Sequence, residues 1–483
     1  MTAISYNNDL AQQHSAPDGG VRMNKPVPTS RMARGSKLGV LVAGQAVHQQ
    51  RTRLSMIGRS EEVRARLADE SVWQLAEKLV VVLGEMKGLA MKLGQLLSLF
   101  DLDLVPPQHR ESFRHSLAVL FDSAPAVTFE TMRRVVEEDL GAPLETLFAE
   151  FDPEPIAAAS IGQVYRARLA DGTDVAVKVQ YPGIDAAVRA DLRNLALLRP
   201  LLQHALPAFT LEVLDEMRAN FENEVDYVAE ARTQQHVANL YAGHPFIAVP
   251  QAFPERSGRH VLVTEYAPGE SFEAMRALPE AERDRIGEII YRFYLGSQFE
   301  FGEFCGDPHP GNVLLGTDGR VVFLDFGLYK RMAVEHIAFE AACLRAAAED
   351  RGPDLHRLMV DHGVIGDQAG VTASECYDYV LSAMQWCLAD QDVPITPELA
   401  CGALLNVVDP RLPQFSRMRR QHLPPEHLIS RRTGFWTCAT LGHLRASTNW
   451  HRIMREWLYD DVPATESGRL HRAWKLQRTP DNP

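Results

Sequence analysis

Apolar positions along this chain follow two periods, and the switches between them mark its organisation. From Glu61 to about Phe100, Trp73, Leu75, Leu79, Leu83, Met86, Leu89, Leu93 and Leu97 recur at mostly helical spacing, which predicts one long amphipathic helix. A second helical stretch, Thr128–Leu140, stops at Gly141 and leads into a Pro-rich connector over Phe151–Pro155. The period then drops to two. Ala158–Leu169 and Asp174–Val179, joined by a turn at Asp171-Gly172, read as a β-hairpin ending in Val-Ala-Val-Lys. Helical spacing returns over about Asp185–His204 and Leu211–Asn239, two more strands are predicted within residues 247–266, and Glu280–Phe301 reads as a long helix. Beyond Gly327 the pattern predicts helices only, at roughly His336–Glu349, Thr372–Ala389, Pro397–Val407, Pro425–Leu444 and Trp450–Tyr459.

Composition narrows the class. At 483 residues the chain exceeds one ordinary core, so two or three packed lobes are expected. A hydrophobic content of 46% with 23% charged residues is that of a globular protein, and the net charge of -13 argues against a general nucleic-acid binder. Residues 1–60 run the other way, with eight Lys and Arg against Asp9 and Asp18, a balance of 8 − 2 = +6. Residues 1–35 lack periodicity and read as disordered. The apolar patch and basic residues that follow suit either an amphipathic helix on an anionic membrane surface or an arm docked on the protein itself. No basic start and apolar block opens the chain, and no apolar run approaches the ~20 residues of a membrane helix, so a cytoplasmic protein with at most peripheral membrane contact is expected. The six cysteines form no C-x-x-C pair, which speaks against a zinc site or a disulfide framework.

The chemistry concentrates in Cys305–Gly327, CGDPHPGNVLLGTDGRVVFLDFG. Asp307 precedes Asn312 by five residues, and Asp325 opens an Asp-Phe-Gly triplet across a hairpin turned at Asp318-Gly319. Phosphoryl transfer needs an acid near the attacking group and oxygen ligands for Mg²⁺ on the nucleotide phosphates, and these three residues supply both. Lys178 closes its strand where a kinase lysine would reach the α- and β-phosphates. It follows a run of small side chains, Ala157, Ala158, Ala159, Ser160, Ile161 and Gly162, that lets backbone N–H groups approach phosphate oxygens. Thr264–Gly269 resembles an interlobe hinge, with Glu265 and Ala267 as adenine-binding positions. On the first helix Lys92 and Gln95 share one face around Gly94. The basic pairs Arg419-Arg420 and Arg431-Arg432 read as solvated or structural. An Ala-Pro-Glu segment, which would close a protein-kinase activation loop, is not found.

Six ordered motifs, Lys92–Gln95 (KLGQ), Ala157–Val164 (AAASIGQV), Val175–Gln180 (VAVKVQ), Glu224–Asp226 (EVD), Asp307–Asn312 (DPHPGN) and Asp325–Gly327, closely resemble the UbiB/AarF atypical kinase-like family, called ADCK in animals. The resemblance covers about residues 70–460 and includes a tail block, His422–Glu426. It implies an α+β, two-lobed protein-kinase-like fold with an N-terminal helical extension and a largely helical C-terminal lobe. The implied domains are a basic arm (1–60), the helical extension (61–150), an N-lobe (151–269), a C-lobe (270–465) and a flexible tail (466–483). It further implies ATP or ADP with Mg²⁺, and a link to isoprenoid quinone biosynthesis at membranes. Carried over, Lys178 is the phosphate lysine and Glu230 its helical partner. Asp307 is then the catalytic aspartate, and Asn312 and Asp325 are the metal ligands. Glu224 and Asp226 form an E-x-D motif, with Glu224 as partner of Lys92, whose helix covers the substrate pocket. Cys305-Gly306 replaces the family's usual His-Ala, and Leu120–Pro125 departs from its Leu-Gln-Asp…Pro-Pro.

Three functions compete. The first is an ATP-dependent kinase or ATPase acting near a lipid-like molecule. The second is an ATP-gated protein that presents hydrophobic quinone precursors without transfer. The third is an aminoglycoside-phosphotransferase-like kinase, ranked last because the Lys92–Gln95 and Ala157–Val164 motifs are foreign to that group.

Overall fold

The computed structural model describes residues 127–192, 218, 224–366, 370–408, 415–418, 421 and 424–478. Lys92 and Gln95, the basic arm, the first amphipathic helix, the Leu120–Pro125 segment, Arg419-Arg420 and the first two residues of the His422–Glu426 block lie outside the described residues.

The N-terminal lobe is an antiparallel sheet of order β1-β2-β3-β5, built from Glu150–Ala159 (β1), Gly162–Arg168 (β2), Asp174–Gln180 (β3) and Val261–Glu265 (β5). Strand β3 shows why. Val175, Val177 and Val179 are fully buried on one face, and the alternate positions bring Lys178 to the other. Helix α1 (Phe129–Leu140) packs its buried Met132 and Val136 into the same core and ends at Gly141 in the left-handed conformation.

Three expectations are corrected here. The Pro-rich connector is a strand, because Phe151 pairs with Ala167 and Pro155 with Tyr165 through two register shifts that accommodate the prolines. The run of small residues is therefore mostly ladder, leaving Ser160-Ile161 as the turn. Gly162 is required there, since a Cβ would lie 2.1 Å from the Val179 carbonyl oxygen. Finally, the helix expected over Leu211–Asn239 is interrupted: the chain turns at Val225, and helix α2 (Tyr227–Leu240) starts afresh with Asp226 Oδ1 accepting from Ala229 N.

A second sheet lies below the hinge, with Ile247–Ala248 (β4), Val321–Phe323 (β9), Val313–Gly316 (β8) and Gly269–Glu270 (β6) in the order β4-β9-β8-β6. Strands β7 (Glu303–Cys305) and β10 (Tyr329–Arg331) pair at the two ends of the stretch that carries Asp307, Asn312 and Asp325. The remainder is helical. Helix α3 (Glu280–Tyr291) continues through a π-turn, Arg292–Gly296, into α4 (Ser297–Phe301). Then come α5 (Val334–Ala348), α6 (Gly352–Asp361), α7 (Ala373–Leu388), α8 (Pro397–Val408), α9 (Pro425–Leu444) and α10 (Trp450–Tyr459).

Residues 466–477, expected as flexible tail, instead form helix α11 (Glu466–Gln477). His471 and Lys475 both donate to Glu300, at 2.9 and 2.7 Å, and the Trp474 ring stacks on Tyr241. The two-lobed kinase-like α+β fold stands. Among the described residues no helix is long and apolar enough to cross a membrane.

Candidate nucleotide site

The motifs that are far apart in sequence meet between the lobes. Lys178 Nζ donates to Glu230 Oε1 at 2.9 Å and to Asp325 Oδ2 at 3.3 Å, and lies 5.0 Å from the Tyr227 ring centroid. Strand β3 aims the lysine, α2 carries the glutamate, and the turn after β9 carries the aspartate. Glu224 reaches the same place: a Cβ on Gly327 would sit 3.4 Å from Asp325 Oδ1, 3.5 Å from Glu224 Cγ and 3.5 Å from Glu230 Oε2. Asp226 is committed to capping α2.

The electrostatics follow from burial. Burial pulls the Lys178 ammonium down, but the carboxylates of Asp325 and Glu230 outweigh it and hold the group well above its ordinary value. Glu230 is almost wholly buried, and this loss of water raises its carboxyl to about 7 against the pull of Lys178. Lys178 keeps 19% of its side chain exposed and so remains reachable from the cleft.

The stretch from Asp307 to Gly327 is braced from several sides. Asp307 is 4% exposed, and its carbonyl accepts from Asn312 Nδ2 at 3.2 Å. His309 Nδ1 accepts from Gly311 N, and the Asn312 carbonyl accepts from Leu324 N, which ties the loop to the strand before Asp325. Asp325 Oδ1 accepts from Gly327 N at 3.0 Å. Asn312 and Asp325 thus offer an amide and a carboxylate, hard oxygen donors of the kind Mg²⁺ uses when phosphates complete its shell, so the residues fit that ion.

The departure at Cys305-Gly306 also has a physical account. Cys305 Sγ donates to the Asp325 carbonyl at 3.3 Å, so the thiol links the two motifs. Gly306 is needed because a Cβ would come within about 3.0 Å of Leu328 and Ile429. Sequence reasoning missed the two residues of α9 that hold this stretch from behind. Arg432 Nη2 donates to the Gly306 carbonyl at 3.1 Å, and Thr440 Oγ1 donates to the Pro308 carbonyl at 2.5 Å. Neither carries a motif.

The Ala157, Ala158 and Ala159 register opposite Val164, Gln163 and Gly162 puts them at the end of β1, with Ser160 at the turn. Ile161 turns its side chain into the lobe core, and its carbonyl accepts from Tyr181 N. Glu265 ends β5 with its N–H on the Gln251 carbonyl, and Ala267 follows half-buried in the connection to the lower lobe.

The chain is similar to known proteins in sequence and fold. Residues 119–353 match the model of the ABC1 atypical kinase-like domain. The chain is 35% identical over 296 residues, 59% of its length, to the chloroplastic protein ACTIVITY OF BC1 COMPLEX KINASE 8 of Arabidopsis thaliana. It is 32% identical over 331 residues, 67% of its length, to the mitochondrial atypical kinase COQ8B of Rattus norvegicus. These matches span 38% and 61% of the two relatives. Among solved structures, the erythromycin complex of Rv3197 from Mycobacterium tuberculosis superposes with a TM-score of 0.58 at 30% identity, covering 82% of this chain and 98% of that one.

Proposed function

The chain belongs to the ABC1 atypical kinase-like family, and from that premise we propose that it is an ATP-binding, Mg²⁺-dependent kinase or ATPase serving isoprenoid quinone (ubiquinone-type) biosynthesis or lipid homeostasis. The observation that carries the reading is the Lys178 ammonium held between Glu230 and Asp325 at 2.9 and 3.3 Å. That pair fixes the lysine at the mouth of the cleft, where it meets phosphate oxygens without first having to order its long side chain. Asp307, braced by Asn312 and Arg432 through backbone carbonyls, orients the attacking hydroxyl or water and accepts its proton. Bound Mg²⁺, taken by Asn312 and Asp325, would supply charge neutralisation on the phosphates. The acceptor is water in the ATPase reading and a lipid or quinone-precursor hydroxyl in the kinase reading, met by a cytoplasmic protein in peripheral contact with a membrane.

A second reading, nucleotide-gated binding without transfer, draws on the burial of Asp307, which an acceptor hydroxyl has to reach. Phosphate release from Mg-ATP, measured with and without anionic vesicles and a phenolic precursor mimic, separates the two. The enzyme reading expects turnover that rises with both additions and is lost in Lys178→Ala. Nucleotide binding with the same background release in wild type and Lys178→Ala would leave only the gated binding protein.

A further inference from the structure

The helical lobe contains a cavity of about 160 Å³ on the opposite side of α9 from the catalytic stretch. Its walls come from α3 to α4, α5, α6, α7, α8, α9 and α10, and they are mostly apolar. This volume compares with an engineered cavity of about 150 Å³ that takes a benzene ring.

Three features set it apart from a packing defect. Gly434 lies in the middle of α9, where glycine costs about 0.5–1 kcal/mol against alanine. A Cβ built on it meets nothing within 4 Å, so no close contact demands the glycine, and the missing side chain is part of the cavity. Second, two donors face the walls. Among the described residues the buried Trp457 indole N–H has no acceptor, and no hydrogen bond or ion pair holds the half-buried Arg431 guanidinium. The carboxylate at the wall, Glu340, is by contrast already engaged by Gln298, His427 and Ser430. Third, Tyr291, Leu295, Gln298 and Phe299 reach the cavity from the α3 to α4 run, whose π-turn shifts the register between them; such turns gather at functional sites.

We propose that this cavity is a binding site for a small amphipathic carboxylate, with a substituted aromatic or short alkyl body among the apolar side chains and its acid group on Arg431. His427, Ser430, Arg431, Gly434 and Phe435 form the cavity face of α9 at i, i+3, i+4, i+7 and i+8. The other face carries Ile429, Arg432 and Thr440 to Gly306 and Pro308. Occupancy therefore bears on the helix that braces the catalytic loop. The inference goes beyond the nucleotide reading, and neither binding step needs turnover.

Isothermal titration of the full chain with 4-propylbenzoate, against propylbenzene as the uncharged analogue, tests it in the absence of nucleotide. The carboxylate is expected to bind at one site at least tenfold more tightly than propylbenzene, and Arg431→Gln removes that preference. Gly434→Leu, which fills the space, weakens both ligands at least tenfold with an unlowered melting temperature, and Ala383→Leu on α7 does the same from another wall. Absence of wild-type binding, full affinity in both filled variants, or an unchanged carboxylate preference in Arg431→Gln would overturn the proposal. Because no nucleotide is present, failure here leaves the phosphate-release test standing, and the reverse holds.

Discussion

Two buried cations, each between two carboxylates, divide the work of this molecule. In the helical lobe Arg292 donates to Glu288 at 2.8 Å and in a fork to both oxygens of Glu456 at 2.8 and 2.9 Å, with Thr465 at 3.3 Å. Its side chain is 1% exposed, and its partners are 7% and 8% exposed. Between the lobes Lys178 makes two longer-reaching contacts and keeps 19% of its side chain in the cleft. A planar guanidinium held by a fork and buried on all sides is a fixed joint between α3, α10 and the start of α11. An ammonium has three donors. With two on carboxylates, it retains capacity for a phosphate oxygen. The same charge pattern is a closed structural clasp in one place and, under the proposed function, a binding group open to phosphate in the other, and exposure, 1% against 19%, is what separates them.

The sharpest way to break this comparison is to delete each cation. Arg292→Met leaves Glu288 and Glu456 buried without their counter-charge and is expected to cost about 3–5 kcal/mol, read as a large fall in chemical-denaturation midpoint. Nucleotide affinity per folded molecule should stay near wild type. Lys178→Ala should do the opposite, lowering turnover roughly 10²–10³-fold, while the midpoint moves little because Glu230 can take up a proton. Equal loss of stability in the two variants would erase the distinction.

The pH dependence sharpens it further. Burial raises Glu230 to about 7. As pH falls through that value Glu230 protonates and releases its charge hold on Lys178, so turnover should decline on the acid side, and Glu230→Gln should flatten that limb. The stability sign runs the other way. Between the ordinary value of 4.5 and about 7 the folded chain binds more protons at this site than the unfolded chain does. This contribution is therefore fully present below 4.5 and is lost as pH rises through about 7, which melting curves of wild type and Glu230→Gln across that range would reveal. The smallest effect expected is from Gly434→Ala, a gain of about 0.5–1 kcal/mol in α9, since the added methyl meets open space.

The two regions were unequally legible in the sequence. Phosphate chemistry needs particular polar residues in set order, and Asp307, Asn312 and Asp325 are marked by their spacing and Lys178 by its place at the end of a strand behind a run of small residues. Among the helices of the lower lobe, Trp450–Tyr459 was readable because its apolar face repeats strongly, whereas Pro425–Leu444, apolar and polar on all sides, was readable only as a long run free of internal proline behind Pro424-Pro425. Strand β1 was hidden by its prolines, which are tolerated at its bulges. Helix α11 was hidden because few apolar residues anchor it, and its order comes from His471, Trp474 and Lys475 reaching partners more than 170 positions away. Arg292, Arg432 and the cavity around Gly434 carry no local signal. Their roles exist only once distant helices are packed together.

The most direct test of the central claim is to measure phosphate release and nucleotide affinity together in Asp307→Asn. The account predicts release at least 10²-fold below wild type with Mg-ATP affinity unchanged within a few-fold, because Asp307 acts on the attacking group while Lys178, Asn312 and Asp325 still hold the phosphates. Release at the wild-type rate in a variant that binds Mg-ATP normally would contradict it.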